Sequence, residues 1–271
     1  MTKPYAEVIG DPVDHSLSPA IHGFWLKALG IDARYGRRRI RHVELPAYLA
    51  EKRADAAWRG ANVTMPLKLD AVTLADGASD RAVAAGAANL LMMRDGRLAA
   101  ANTDVGAIAS LLSALREAKA RMGSVTLLGN GGAARAALVA LKLVGIANVR
   151  IQARDVAEAR KLAVEFGLET GPALFTEPIV SDGLINATPL GMPGRECLNC
   201  DLHRMPVSGW VFDMVYDPAE TPLIEAARGR GLHAVSGLHM LVEQAATSFE
   251  LFFGQKPPRD RDAELWQLIR P

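Results

Sequence analysis

The stretch Asn62-Val63-Thr64-Met65-Pro66-Leu67-Lys68 brings an amide, a hydroxyl and an ammonium into one short segment. In an extended backbone alternate side chains share a face. Asn62, Thr64 and Lys68 would then line one wall, with Pro66 stiffening the chain between them. Such a wall suits a small polyhydroxylated or carboxylated molecule. Downstream, Ala101-Asn102-Thr103-Asp104 adds a second polar cluster with a carboxylate. A lysine and an aspartate meeting over a substrate hydroxyl form a proton-transfer pair. The alternative for Lys68 is a solvated surface lysine, the state of most lysines in most chains.

A glycine-rich turn offers a second chemistry. Val125-Thr126-Leu127-Leu128 is a short apolar run of the kind found in buried parallel strands. It leads into Gly129-Asn130-Gly131-Gly132-Ala133-Ala134. Residues 135–144 are rich in alanine and leucine and predict a helix, and Asn148-Val149-Arg150-Ile151 predicts the next strand. Strand, glycine turn, helix and strand in that order form the context of the dinucleotide fingerprint. Glycines admit the backbone to a pyrophosphate, and the helix N-terminus supplies N–H groups and a positive dipole end. A tight turn without a ligand is the competing reading.

The elements that must position these groups alternate between strands and helices. Residues 6–10 predict a strand, and Ser18-Pro19 predicts the start of a helix through Leu29, with Ser18 as cap and proline in its first turn. Residues 60–64 predict another strand. A helix capped by Asp104 is expected to reach about Ala120. Strands are expected at 183–187 and 210–214, and an amphipathic helix from His239 through Phe253. The fold class is α/β in two domains. An N-terminal α/β domain, 1–104, is expected to be completed by 238–271, the C-terminal helix packing back on it. A doubly wound dinucleotide-binding domain is expected at 105–237.

Composition is that of an ordinary soluble globular protein, with 271 residues, 49% hydrophobic and 23% charged. A net charge of +1 offers no electrostatic case for nucleic acid or an anionic membrane. No apolar stretch approaches the length of a membrane span, and the N-terminus carries no signal-peptide core. A cytoplasmic location is expected. The two cysteines, Cys197 and Cys200 in Cys-Leu-Asn-Cys, lie near His203. A second ligand pair with zinc spacing is missing, and the surrounding prolines predict a loop, so neither a metal nor a redox role is expected.

Taken together, these segments resemble the shikimate dehydrogenase family over essentially the full chain. His15-Ser16-Leu17-Ser18-Pro19-Ala20-Ile21-His22 is similar to the family's substrate segment, in which two serines hold a carboxylate; here they are Ser16 and Ser18. Asn62, Thr64 and Lys68 stand in its Asn-Val-Thr-x-Pro-x-Lys pattern. Asn89, Thr103 and Asp104 match further substrate contacts, and Tyr216 and Gln244 match residues reaching the substrate. On the cofactor side the resemblance covers Gly129, Asn130, Gly131, Gly132, Ala133, Arg154, Asp155, Thr188, Met214 and Gly237. It implies reversible reduction of 3-dehydroshikimate to shikimate by hydride transfer from NAD or NADP. Lys68 would serve as general acid/base, with Asp104 orienting Lys68 and the substrate hydroxyl. No metal is implied. The expected partner is the small-molecule substrate, with a homodimer left open.

Two departures bear on specificity. Where the family commonly carries Asn-Arg-Thr to hold a 2′-phosphate, this chain reads Ala153-Arg154-Asp155-Val156-Ala157-Glu158. A carboxylate at that place favours the free ribose hydroxyls of NAD, so the expectation leans to NAD; the alternative is that Asp155 caps the next helix. Ala88, Leu90 and His239 also differ from frequent family residues. A quinate/shikimate or related cyclitol-acid dehydrogenase is the alternative within the enzymes, and retention of Ser18 favours shikimate. A catalytically silent nucleotide-binding regulator is the alternative outside them, opposed by retention of Lys68 and Asp104.

Overall fold

The computed structural model describes residues 3–198 and 200–270. Asn199 of the Cys-Leu-Asn-Cys stretch lies outside them. The first part runs β1 (Tyr5–Gly10), α1 (Ser18–Ala28), β2 (Arg34–Arg39), α2 (Leu45–Arg53), β3 (Trp58–Val63), α3 (Lys68–Leu74), β4 (Gly77–Ala78), α4 (Asp80–Ala85), β5 (Leu90–Arg94) and β6 (Arg97–Ala101). Then follow α5 (Thr103–Glu117), β7 (Val125–Leu128), α6 (Gly132–Leu143), β8 (Val149–Ala153), α7 (Val156–Glu165), β9 (Ala173–Leu174) and β10 (Gly183–Asn186). The chain ends with β11 (Trp210–Asp213), α8 (Pro222–Gly229), β12 (His233–Ser236), α9 (Gly237–Phe253) and α10 (Asp262–Ile269). Contacts divide it into two units, Met1–Thr103 with Val242–Pro271, and Asp104–Leu241.

The first unit holds a six-stranded mixed sheet, in the order β2-β1-β3-β5-β6-β4. β1 pairs in parallel with both β2 and β3, which places Val8 opposite Asn62 and Ile9 opposite Val63. β3 then pairs antiparallel with β5, and β5 with β6. Ile9, Leu45, Trp58, Leu67, Leu91 and Leu98 form a core on this sheet. The α9 residue Phe252 packs with Ala6 and Leu90.

The extended wall expected over 62–68 is corrected. β3 stops at Val63, Leu67 N–H bonds back to Thr64 O at 3.0 Å, and Lys68 opens α3. Proline has no N–H for a ladder and disfavours helix in the residue before it, so Pro66 occupies the turn and the helix starts after it. A second correction concerns α1. Its cap position is Leu17, without a side-chain cap bond, and Ser18 is already helical. Ser16 Oγ instead accepts the Ser18 N–H at 3.3 Å, a local serine turn.

The second unit is a six-stranded, wholly parallel sheet in the order β12-β11-β10-β7-β8-β9. Counted within the unit this is the 3-2-1-4-5-6 order of the doubly wound dinucleotide fold, whose direction of winding reverses between β7 and β10. β7, β10 and β11 are buried along their whole length. α6 buries Ala134 and every residue from Ala136 to Leu141, because small side chains let the helix approach the sheet closely. Among the described residues no helix is long and apolar enough to cross a membrane.

His22 of α1 is fully buried in the first unit. Its ring stacks on Tyr35 with centroids 4.0 Å apart and meets Trp25 edge-on. Burial pushes its pKa down to about 3. The folded chain therefore keeps His22 neutral while the unfolded chain takes a proton below the ordinary value near 6.5. The stability that this neutral burial allows is complete above about pH 6.5 and is lost as pH falls toward 3, amounting to about 2 kcal/mol at pH 5. Urea unfolding of the wild type and of His22→Phe at pH 7 and pH 5 checks this. The variant is expected to lose less stability between the two, and equal losses would remove His22 as the source.

Candidate active site

In the first unit the sequence-expected polar residues converge. Asn62 is the last residue but one of β3, Asn89 directly precedes β5, Thr103 opens α5, and Gln244 lies on α9; all four are buried. Asn89 accepts the Thr103 N–H through Oδ1 at 2.7 Å and donates through Nδ2 to Thr103 Oγ1 at 2.9 Å. It also reaches Gln244 Oε1 at 3.5 Å. Asn62 Nδ2 donates to Ser248 Oγ at 2.8 Å, and Ser248 in turn donates to the Gln244 carbonyl at 2.9 Å. Buried amides and hydroxyls need such partners, because an unpaired one costs roughly 1–3 kcal/mol. The result is a rigid cluster of neutral donors and acceptors of the kind that reads ring hydroxyls.

The remaining residues of the expected substrate set lie on several elements of the two units. Ser18 is buried and Ser16 half-buried at the start of α1. Thr64 is half-buried in the turn after β3, and Lys68 is half-buried in the first turn of α3. Asp104 is buried in the first turn of α5, and Tyr216 lies half-buried in the loop after β11. By contacts these last two belong to the second unit.

Sequence reasoning missed Ser248 and Tyr35, although both hold Asn62. Ser248 was within reach, since it lies four residues after Gln244 on one helix and so on the same face. Tyr35 sits in the arginine-rich β2, whose place beside β1 only sheet pairing reveals.

The second unit carries the groups suited to a dinucleotide. Gly129 has φ +101°, and a Cβ there would meet Thr188 Cγ2 at 3.0 Å and the Ala187 carbonyl at 3.2 Å. The glycine turn therefore lies against the end of β10, at the switch point where such folds take their ligands. Gly131 caps α6 without a side chain, so the first N–H groups of the helix keep no side-chain acceptor and suit a phosphate. Asn130, Gly132 and Ala133 are half-buried around this turn. Gly237 lies so close to Met214 that a Cβ would stand 2.4 Å from the Met214 carbonyl. Thr188 is fixed by Asn186, whose Oδ1 accepts its N–H at 3.0 Å and its hydroxyl at 2.6 Å. Asn186 donates to Asp213 Oδ1 at 2.9 Å, and Asp213 Oδ2 accepts from Thr221 at 2.6 Å. Burial raises the Asp213 pKa against these hydrogen bonds, which lower it.

The two carboxylates behind the NAD expectation are otherwise engaged. Asp155 caps α7, its Oδ1 accepting the Glu158 N–H at 3.0 Å. Glu158 pairs with Lys161 at 2.5 Å. Arg154 stands exposed with no ion-pair partner among the described residues. Cys197 and Cys200 are free, and no group of His, Cys, Asp and Glu among the described residues could hold a metal ion.

A doubly wound sheet with a glycine turn at its switch point, joined in one chain to a mixed-sheet unit that buries amides and hydroxyls, defines a two-domain α/β protein of the dinucleotide-binding class. Residues 8–91 match the family model of the shikimate dehydrogenase substrate binding domain. Residues 237–264 match that of the shikimate 5'-dehydrogenase C-terminal domain. The shikimate dehydrogenase (NADP(+)) of Sphingopyxis alaskensis is 44% identical over 98% of this chain and 97% of its own. The crystal structure of shikimate 5-dehydrogenase from Thermus thermophilus with NADP(H) and shikimate superposes with a TM-score of 0.84 at 34% identity, covering 98% of both chains. Quinate dehydrogenase from Corynebacterium glutamicum with NAD also reaches 0.84, at 28% identity over 98% of this chain and 99% of its own. The chain belongs to the shikimate dehydrogenase family. The lean toward NAD gains no support from the close relatives, which are named for NADP(+).

The capping role of Asp155 has a measurable consequence. Asp155→Ala is expected to lower stability by about 1 kcal/mol, with most of it recovered in Asp155→Asn, since asparagine caps as well as aspartate. Denaturant unfolding midpoints of the three proteins check this, and an unchanged Asp155→Ala midpoint would remove the cap.

Proposed function

We propose that this protein is an NADP-dependent shikimate dehydrogenase, interconverting 3-dehydroshikimate and shikimate. The observation that carries the substrate reading is the buried cluster of Asn62, Asn89, Thr103 and Gln244, held in fixed orientation by Ser248. Its neutral amides and hydroxyls match a ring bearing several hydroxyl groups. Ser16 and Ser18 receive the carboxylate; the helix does not use Ser18 as its cap. Thr64 and Tyr216 complete the substrate contacts.

The glycine turn, the uncapped α6 N-terminus, Thr188, Met214 and Gly237 hold the dinucleotide. When bound, that cofactor supplies the hydride for reduction of a ring ketone to an alcohol. Lys68 gives the proton to the carbonyl oxygen in the reducing direction and removes it in the oxidising one. Asp104 accepts a hydrogen bond from a substrate hydroxyl and so fixes the ring while the proton moves. Arg154 supports the NADP reading. A guanidinium matches a phosphate, and the neighbouring carboxylates are occupied by the α7 N-terminus and by Lys161.

Lys68→Ala is expected to lower kcat by about 100-fold or more while cofactor affinity stays near wild type. Steady-state kinetics and fluorescence titration of NADPH check this, and near-normal turnover in a folded variant would remove Lys68 as the acid/base. A matrix of shikimate and quinate against NADP and NAD tests the whole reading. The highest kcat/KM is expected for shikimate with NADP. A preference for NAD would return Asp155 to the ribose, and a preference for quinate would reassign the substrate.

A further inference from the structure

Asn62 has its hydrogen-bonding capacity almost fully committed. Its Nδ2 donates to Ser248 Oγ at 2.8 Å and to the Asn89 carbonyl at 3.4 Å, and its Oδ1 accepts from Tyr35 Oη at 2.7 Å. The Ser248 hydroxyl spends its one proton on the Gln244 carbonyl, so toward Asn62 it can only accept. That fixes which end of the amide faces Ser248 and turns the oxygen to Tyr35. Both amide protons are then used, and what Asn62 retains for a ligand is the second lone pair of Oδ1.

Tyr35 is itself held firmly. Its ring lies flat on His22, 4.0 Å between centroids and 6° between planes. His22 is fully buried, has no hydrogen-bond partner among the described residues, and is packed against Trp25 and Phe249. A neutral imidazole in that position acts as a flat plate behind the phenol.

We propose that Tyr35 is a positioning residue for substrate recognition: with Ser248 it locks the Asn62 amide so that its oxygen receives a hydrogen bond from a ring hydroxyl of the substrate. This rests on the reading of Asn62 as a substrate contact. Without the phenol hydroxyl, the amide loses the partner that holds its oxygen in place, and the ligand must do the ordering itself at a cost in affinity.

Tyr35→Phe keeps the ring and its stacking on His22 and removes only the hydroxyl. Shikimate affinity by calorimetry, and kcat and KM for shikimate and NADP, are measured on Tyr35→Phe, Asn62→Ala and the double variant, with thermal midpoints as a check of folding. Tyr35→Phe is expected to weaken shikimate roughly five- to tenfold, the scale of one neutral hydrogen bond, with kcat and NADP affinity near wild type. In the Asn62→Ala background the same change is expected to do nothing further, because its target is gone. Wild-type shikimate affinity in Tyr35→Phe alongside weakened binding in Asn62→Ala overturns the positioning role and leaves the substrate reading intact. Additive losses in the double variant overturn it as well. Unchanged binding in Asn62→Ala overturns the substrate reading of Asn62, and the role of Tyr35 with it.

Discussion

A side-chain amide removed from water must have its donors and acceptor satisfied, and Asn62 is only 5% exposed. Meeting that requirement ties together elements far apart in the chain. β3 carries the amide, β2 brings Tyr35 to its oxygen, α9 brings Ser248 to its nitrogen, and the approach to β5 supplies a backbone carbonyl. Moving any one of these elements would strand a buried polar group. The polar cluster is therefore as rigid as the apolar core beside it, and a ligand meets groups already aimed.

The second unit uses the same device with a charge in it. Asp213 is 1% exposed and stays satisfied through Asn186, Thr221 and the Val215 N–H. Through Asn186 it sets the position of Thr188, which in turn lies against Gly129. The conformation of the glycine turn thus depends on a buried carboxylate two strands away in the sheet order. Parallel strands make this workable, because all their C-terminal ends, and the loops that follow them, gather at one edge.

Charge near the end of β8 shows why a residue type is not yet an interaction. Asp155 and Glu158 read as a ribose site when only their order along the chain is considered. In three dimensions one closes the first turn of α7 and the other pairs along the same helix with Lys161. Local partners one turn away have a large entropic advantage over a ligand, and they claim both carboxylates. Arg154, one residue earlier and outside the helix, is left facing solvent.

Much of the architecture was legible in local patterns. The apolar run at 125–128, the glycine turn and the alanine-rich stretch after it specify strand, turn and helix by periodicity and propensity, and β7 and α6 lie where those patterns put them. The expected strands near 183–187 and 210–214 likewise correspond to β10 and β11. The family resemblance rests on short motifs of the same local kind. The segment 62–68 misleads because alternation alone does not reveal where a strand loses its partner; β3 ends with β1, and the chain turns at Pro66. Tyr35 and Ser248 carry no motif at all. What the sequence determined by itself was the set of elements and the residue types brought to each, since backbone preference and burial pattern act over a few residues. Which amide faces which hydroxyl only the tertiary structure decided, because hydrogen bonds between residues as distant as Asn62 and Ser248 exist only after the sheet and α9 have packed.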